Sequence, residues 1–451
     1  MRSSERNAAE ISGNKDEEEQ CASGRKTYGG GTEYWRQVIV LTNREKTEES
    51  RKLSEKDTEA VFAVLRTALW GEERYPLETE TDVDWAAVCE ELLRQTVGTV
   101  TVDVLGTDER LSIALRREWV SRATRGITFW HRLMQEQERL GTIFRDAGIP
   151  CVVLKGAAAA CYYPKPEYRT MGDVDIIVPP EAFERAFQTM VGEGYCHTDH
   201  GNERHANFSR NGVEFELHRY FALMDDSDAA RAMDDRIFKG IACAEERCLE
   251  KYSFLMLPEL ENGLVLLAHI DQHMRVGLGL RQVIDWMMFV DRKLDDAWWQ
   301  REFGDWARIL KLDQEAIMLT RMCQMYLGLR EEEITWCAGA DETLCYELMC
   351  RILKSGNFGC NWRNSRHGVM ALRGVSRLTD IPMHLQKRGC ANWKMLQRYP
   401  FLTPFAWAYQ LCRYAKLGLQ RERPIRQLIV DIKEKKKQEK LFDYLKIANR
   451  K

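Results

Sequence analysis

The chain has 451 residues, of which 44% are hydrophobic and 30% charged, with a formal net charge of −3. That composition suits an ordinary soluble fold with room for two or three domains. The slightly negative balance offers no global attraction to polyanions, which argues against a general binder of nucleic acid or anionic membrane. Fourteen cysteines are scattered with no CxxC pair, so they read as reduced thiols of a cytoplasmic protein.

Residues 1 to 55 are polar, with Gly29 to Gly31 in their midst, and are expected to form a disordered tail without the apolar stretch of an export signal. From 56 to 148 the pattern turns helical. Val61, Phe62, Leu65 and Leu69 recur at helical spacing, and the apolar periodicity of Leu111 to Phe144 ends at Gly148. The segment 149 to 225 changes period and predicts an α/β core. Short strands are expected over 149–154 and 173–178, the second stopped by Pro179-Pro180. Helices are expected over 157–163, ended by Pro164 and Pro166, and over 181–193.

Residues 204–209 and 213–219 flank Asn211-Gly212, a dipeptide suited to a tight hairpin turn. A helical region over 226–365 is expected to complete a cleft, with a break from Gly356 to Gly359. A helical extension with a basic tail, including Lys435 to Lys437, follows over 366–451 and reads as a solvated face, since Glu434 and Glu439 are interspersed. The most apolar stretch, Phe401 to Leu419, is interrupted by Pro404, Arg413 and Lys416, so no membrane insertion is expected. The aromatic residues around Trp286, Trp298 and Trp299 read as core.

The chemistry gathers around Asp173 and Asp175. Side chains alternate across a strand, so both carboxylates point to one face and Val174, Ile176 and Val178 to the other. Two carboxylates so close repel unless a proton, solvent or a cation compensates, and Mg2+ favours such oxygen ligands together with substrate phosphates. An isolated Asp-x-Asp is more often just an exposed strand end; here the surroundings add to it. Upstream, the strand runs into Lys155-Gly156, a turn in which glycine lets the backbone approach a phosphate. Downstream, Glu214, Glu216 and His218 share one strand face. Either glutamate supplies a third acid, as a metal ligand or as a base toward an attacking hydroxyl.

His269 and His273 stand one helical turn apart, a spacing that also suits zinc, but they read as cleft-lining or structural. Arg281 and Asp285 have the same spacing and read equally as an ordinary helical ion pair or as nucleotide-facing residues.

Val153-Leu154-Lys155-Gly156, Tyr163-Pro164, Arg169-Thr170-Met171-Gly172-Asp173-Val174-Asp175 and Glu216-Leu217-His218 together resemble the uncharacterised bacterial nucleotidyltransferase family labelled type 5, within the polymerase-beta-like superfamily. His269, His273, Leu280-Arg281-Gln282, Asp285 and Gly356-Asn357-Phe358-Gly359 extend the likeness, which covers about residues 57 to 365. The resemblance implies an α+β protein, with a small mixed sheet embedded in helices. It also implies Mg2+, as two ions, and transfer of a nucleoside monophosphate from a nucleoside triphosphate such as ATP to a hydroxyl acceptor with release of pyrophosphate. Asp173, Asp175 and Glu216 would be catalytic metal ligands, and Lys155, Gly156, Arg169, His218 and Arg281 would bind the nucleotide. The chain departs from the superfamily at the turn, where Ala157 follows Lys155-Gly156 and no serine hydroxyl is present for a phosphate. A nucleotide-binding scaffold and a protein AMP-transferase are the rival expectations.

Overall fold

The computed structural model describes residues 53–79, 82–198, 204–222, 227–274, 277–357, 386, 400–405 and 407–409. The N-terminal tail to residue 52, Phe358-Gly359 and the basic C-terminal stretch lie outside the described residues. The chain divides into two units, Met1–Leu92 with Val97–Leu266, and Leu93–Thr96 with Leu267–Lys451.

In the first unit, helix α1 (Glu55–Trp70) starts at a reciprocal cap in which Ser54 Oγ accepts from the Asp57 amide and the Asp57 carboxylate accepts from the Ser54 amide. Helix α2 (Trp85–Arg94) follows, and then the long α3 (Ile113–Asp146), whose chain reverses at Gly148, with φ of 63°. The α/β part contains β1 (Val152–Leu154), the short α4 (Gly156–Ala160), β2 (Asp173–Ile177), α5 (Phe183–Gly192), β3 (Cys196–His197), β4 (His205–Arg210) and β5 (Val213–His218). Helix α6 (Asp228–Ala242) leads to β6 (Glu245–Leu249) and β7 (Tyr252–Met256). Helix α7 (Glu259–Met274) comes next.

The seven strands form one mixed sheet in the order β3-β4-β5-β2-β1-β7-β6. β2 pairs in parallel with β5 and antiparallel with β1, which fixes Asp173 opposite Glu214, Asp175 opposite Glu216, and Leu154 opposite Asp175. The β4–β5 hairpin closes at Asn211 and Gly212, with φ of 48° and 75°, the left-handed pair that a primed two-residue turn requires. Two strands, β6 and β7, went unforeseen within a segment read as helical. Tyr252, Phe254 and Met256 alternate correctly, but their turn is Glu250-Lys251, with Glu250 at φ 52°, and it carries none of the glycine or asparagine that signals a hairpin.

One sheet face is apolar. Val153, Val174, Ile176, Phe208, Phe215 and Leu217 pack there with Trp130, Leu133 and Phe144 of α3 and with Phe183, Ala186 and Met190 of α5. This packing clamps the central strands, so the polar residues of the opposite face sit on a rigid base. Phe215, 1% exposed, lies between two acidic positions of β5. Phe215→Ala is expected to cost about 3–5 kcal/mol in denaturant unfolding, and a loss under about 1 kcal/mol would deny this layer its role.

The second unit is helical in its described residues. It includes α8 (Leu280–Lys293), α9 (Asp313–Leu327) and α10 (Glu342–Ser355). Trp286 and Trp299 are buried and Trp298 is half-buried; Trp286 Nε1 donates to Thr320 Oγ1 at 2.9 Å, and Trp299 stacks on Trp336, so these rings are core. Gln95 joins α8 to α10, accepting from the Leu280 amide and donating to the Ile352 carbonyl. Among the described residues no helix is long and apolar enough to cross a membrane, and the described cysteines are free thiols.

Candidate active site

The polar face of the sheet joins four of the expected residues. Lys155 follows β1 directly, in a left-handed conformation (φ 53°, ψ −126°) that is costly for a residue with a Cβ. It places the ammonium Nζ 2.7 Å from Asp175 Oδ1, and both side chains are almost fully buried. His218 Nε2 donates to the same oxygen at 2.9 Å and lies 3.3 Å from Glu216 Oε2. The parallel register of β2 and β5 explains the gathering, since Asp175 and Glu216 are direct neighbours and His218 lies two residues further on the same face.

The electrostatics follow from this packing. Burial alone would raise the Asp175 carboxyl, but the Lys155 ammonium and the His218 hydrogen bond outweigh it and hold the group well below the usual carboxylate range. Burial pushes Lys155 down, yet the charges of Asp175, Glu216 and Asp173 around it leave its net shift upward. His218 likewise ends above its ordinary value, because hydrogen bonds to Asp175 and Glu216 overcome burial. The result is a buried carboxylate held toward its ionised form by the Lys155 ammonium and by a hydrogen bond with His218.

The other expected residues fall around this cluster. Asp173 starts β2 and is exposed, with its carboxylate on the same face as Asp175. A Cβ on Gly156 would lie 3.5 Å from Met171 Sδ and 3.9 Å from the Asp173 carbonyl, so this glycine brings the turn close to the acidic strand. The helix it opens has only five residues, so its dipole is small. Glu214 is half-buried and its carboxyl is raised by burial. Glu216 is the one in contact with His218, and in that respect the two glutamates left open by the sequence differ.

Arg169 is 4% exposed beyond the turn Pro166–Tyr168 and donates to the Thr170 carbonyl. Arg281 and Asp285 lie on α8 of the second unit, where Asp285 is buried and Arg281 half-buried. His269 and His273 pack edge to face with ring centroids 4.4 Å apart.

His205 is a further residue beside this cluster, outside the expected set. It faces His218 across the β4–β5 ladder, with ring centroids 5.3 Å apart, and was legible by counting back from the Asn211-Gly212 turn. Asp173, Asp175 and Glu216 share one sheet face and offer oxygen donors of the kind a hard divalent cation prefers, but among the described residues the group whose ligand atoms lie within 4.8 Å of one another is His205, Glu216 and His218.

A family profile described as an uncharacterised nucleotidyltransferase matches residues 81–328, more than half of the chain. No curated protein matches it. Among solved structures, the chain is similar to an antigenic nucleotidyltransferase-like protein from Paracoccidioides brasiliensis. The identity is 12% and the TM-score 0.30, over 46% of this chain and 95% of that one.

Proposed function

This chain belongs to the family of uncharacterised nucleotidyltransferases, and on that premise we propose that it transfers a nucleoside monophosphate from a nucleoside triphosphate, ATP first, to a hydroxyl acceptor. The acceptor oxygen bonds to the α-phosphorus, the bond from that phosphorus to the oxygen bridging it to the β-phosphate breaks, and pyrophosphate leaves. The hydroxyl proton passes to Glu216, whose side chain is about one-third exposed. The observation that carries this reading is the buried Asp175 carboxylate, kept ionised next to Glu216 on adjacent parallel strands.

Asp173, Asp175 and Glu216 would hold Mg2+, which when bound supplies positive charge to the triphosphate and to the leaving oxygen. Lys155 and Gly156 would meet the phosphates, with Lys155 moving from Asp175 toward them. Arg169 is assigned to the nucleotide on the family likeness. Positioning and fixed charge supply most of the rate. His218 orients Asp175 and Glu216 rather than touching substrate.

Pyrophosphate release from ATP and Mg2+ over a panel of hydroxyl acceptors, small molecules and proteins, tests the proposal. Turnover with a protein acceptor would make the chain an AMP-transferase. A second reading, a nucleotide-binding scaffold, draws support from the Lys155–Asp175 ion pair, which already neutralises the central carboxylate. Calorimetric binding of ATP with no pyrophosphate release across the panel would favour it.

A further inference from the structure

We propose that His205, Glu216 and His218 form a binding site for a divalent transition metal of the Zn2+ class, different in donor chemistry from the all-carboxylate Mg2+ set. The three side chains offer ligand atoms that lie within 4.8 Å of one another, and among the described residues they are the one group of His, Cys, Asp and Glu that comes so close. The hairpin builds this grouping. His205 is the direct ladder partner of His218, and Glu216 stands two residues before His218 on the same face. The Asn211-Gly212 turn pins the register that keeps the two imidazoles together.

Two imidazoles and one carboxylate are a borderline-soft donor set, which suits Zn2+ and its neighbours, whereas Mg2+ prefers oxygen alone. Three protein ligands also leave a coordination position for water or substrate, as open rather than purely structural zinc sites do. His218 carries a further mark of such a site. Its Nε2 lies 2.9 Å from Asp175 Oδ1 and 3.3 Å from Glu216 Oε2, so carboxylates hold the ring in place, and its Nδ1 is buried with no hydrogen-bond partner. His269 and His273, the helical pair whose spacing also suits zinc, are joined by no acid in such a group among the described residues.

The site shares Glu216 with the proposed transfer reaction but also requires His205 and His218, so its test reads metal binding and no activity. The purified full chain, stripped with EDTA and exchanged into buffer, is titrated with Co2+ as a spectroscopic stand-in for Zn2+. One equivalent should bring a visible ligand-field band that Zn2+ abolishes and a large excess of Mg2+ does not. His205→Gln should weaken Co2+ binding by about tenfold or more, by the scale of lost metal-site interactions. His269→Gln/His273→Gln should leave it unchanged. An unchanged His205→Gln titration, or loss of the band in the helical double variant, would overturn the site.

A second measurement on the wild-type chain is independent of whether His205→Gln folds. Zn2+, and not Mg2+, should protect His205 from diethyl pyrocarbonate as read by peptide mass spectrometry. Equal labelling of His205 with and without Zn2+ overturns the proposal as well.

Discussion

Asp175→Asn is expected to lower nucleotidyl transfer by about a thousandfold or more, the scale set by removing a fixed group that stabilises transition-state charge. The side chain keeps its shape and loses its charge. It also leaves the Lys155 ammonium buried opposite a neutral amide, so the variant should lose stability together with activity. Lys155→Met/Asp175→Asn separates the two effects. The double variant replaces the pair by uncharged groups and is expected to unfold at a denaturant midpoint above that of Asp175→Asn while staying inactive. Pyrophosphate release at rates near wild type in either variant would remove Asp175 from the reaction.

Lys155→Met carries the second large effect. Removing one partner of a buried ion pair costs about 3–5 kcal/mol, since the remaining charge is left uncompensated, and the loss should appear in denaturant unfolding at neutral pH. Its pH dependence has a definite sign. The Asp175 carboxyl lies below its unfolded value, so the stability it contributes is present above that unfolded value, near 4, and is lost as pH falls through the folded one. Without Lys155 the folded value rises toward the unfolded one. Acid unfolding of Lys155→Met should therefore begin at higher pH than in the wild-type chain. Superimposable acid-unfolding curves would show that Lys155 does not hold Asp175 ionised.

The alternation of β2 and β5 was legible because each strand has one apolar face and an unambiguous boundary, Pro179-Pro180 after the first and Asn211-Gly212 before the second. The change of period over 149–225 marked an α/β core between helical regions, the family resemblance implied an α+β fold, and the structure has it. The β6–β7 hairpin was hidden because Glu250-Lys251 turns without glycine.

The Lys155–Asp175 contact was hidden for a different reason. Its geometry depends on how β1 and β2 register across the long connection that contains α4, and that register is set by packing rather than by local chemistry. The pair alters the reading of Lys155, which the sequence offered as a phosphate ligand. In the structure it is first the counter-charge of the central acid, and any role at a phosphate requires it to move. His205 was within reach of sequence reasoning, since a two-residue hairpin turn dictates every cross-strand partner up to His218.

The central claim is that the carboxylate face moves a nucleotidyl group. The most direct test incubates the full chain with Mg2+ and a cell lysate, in parallel with ATP labelled at the α-phosphate and with ATP labelled at the γ-phosphate. The account predicts that label enters an acceptor from the α position alone, with pyrophosphate released, and that Asp175→Asn abolishes it. Transfer of the γ label, or bound ATP with no transfer of α label to any acceptor, would contradict it.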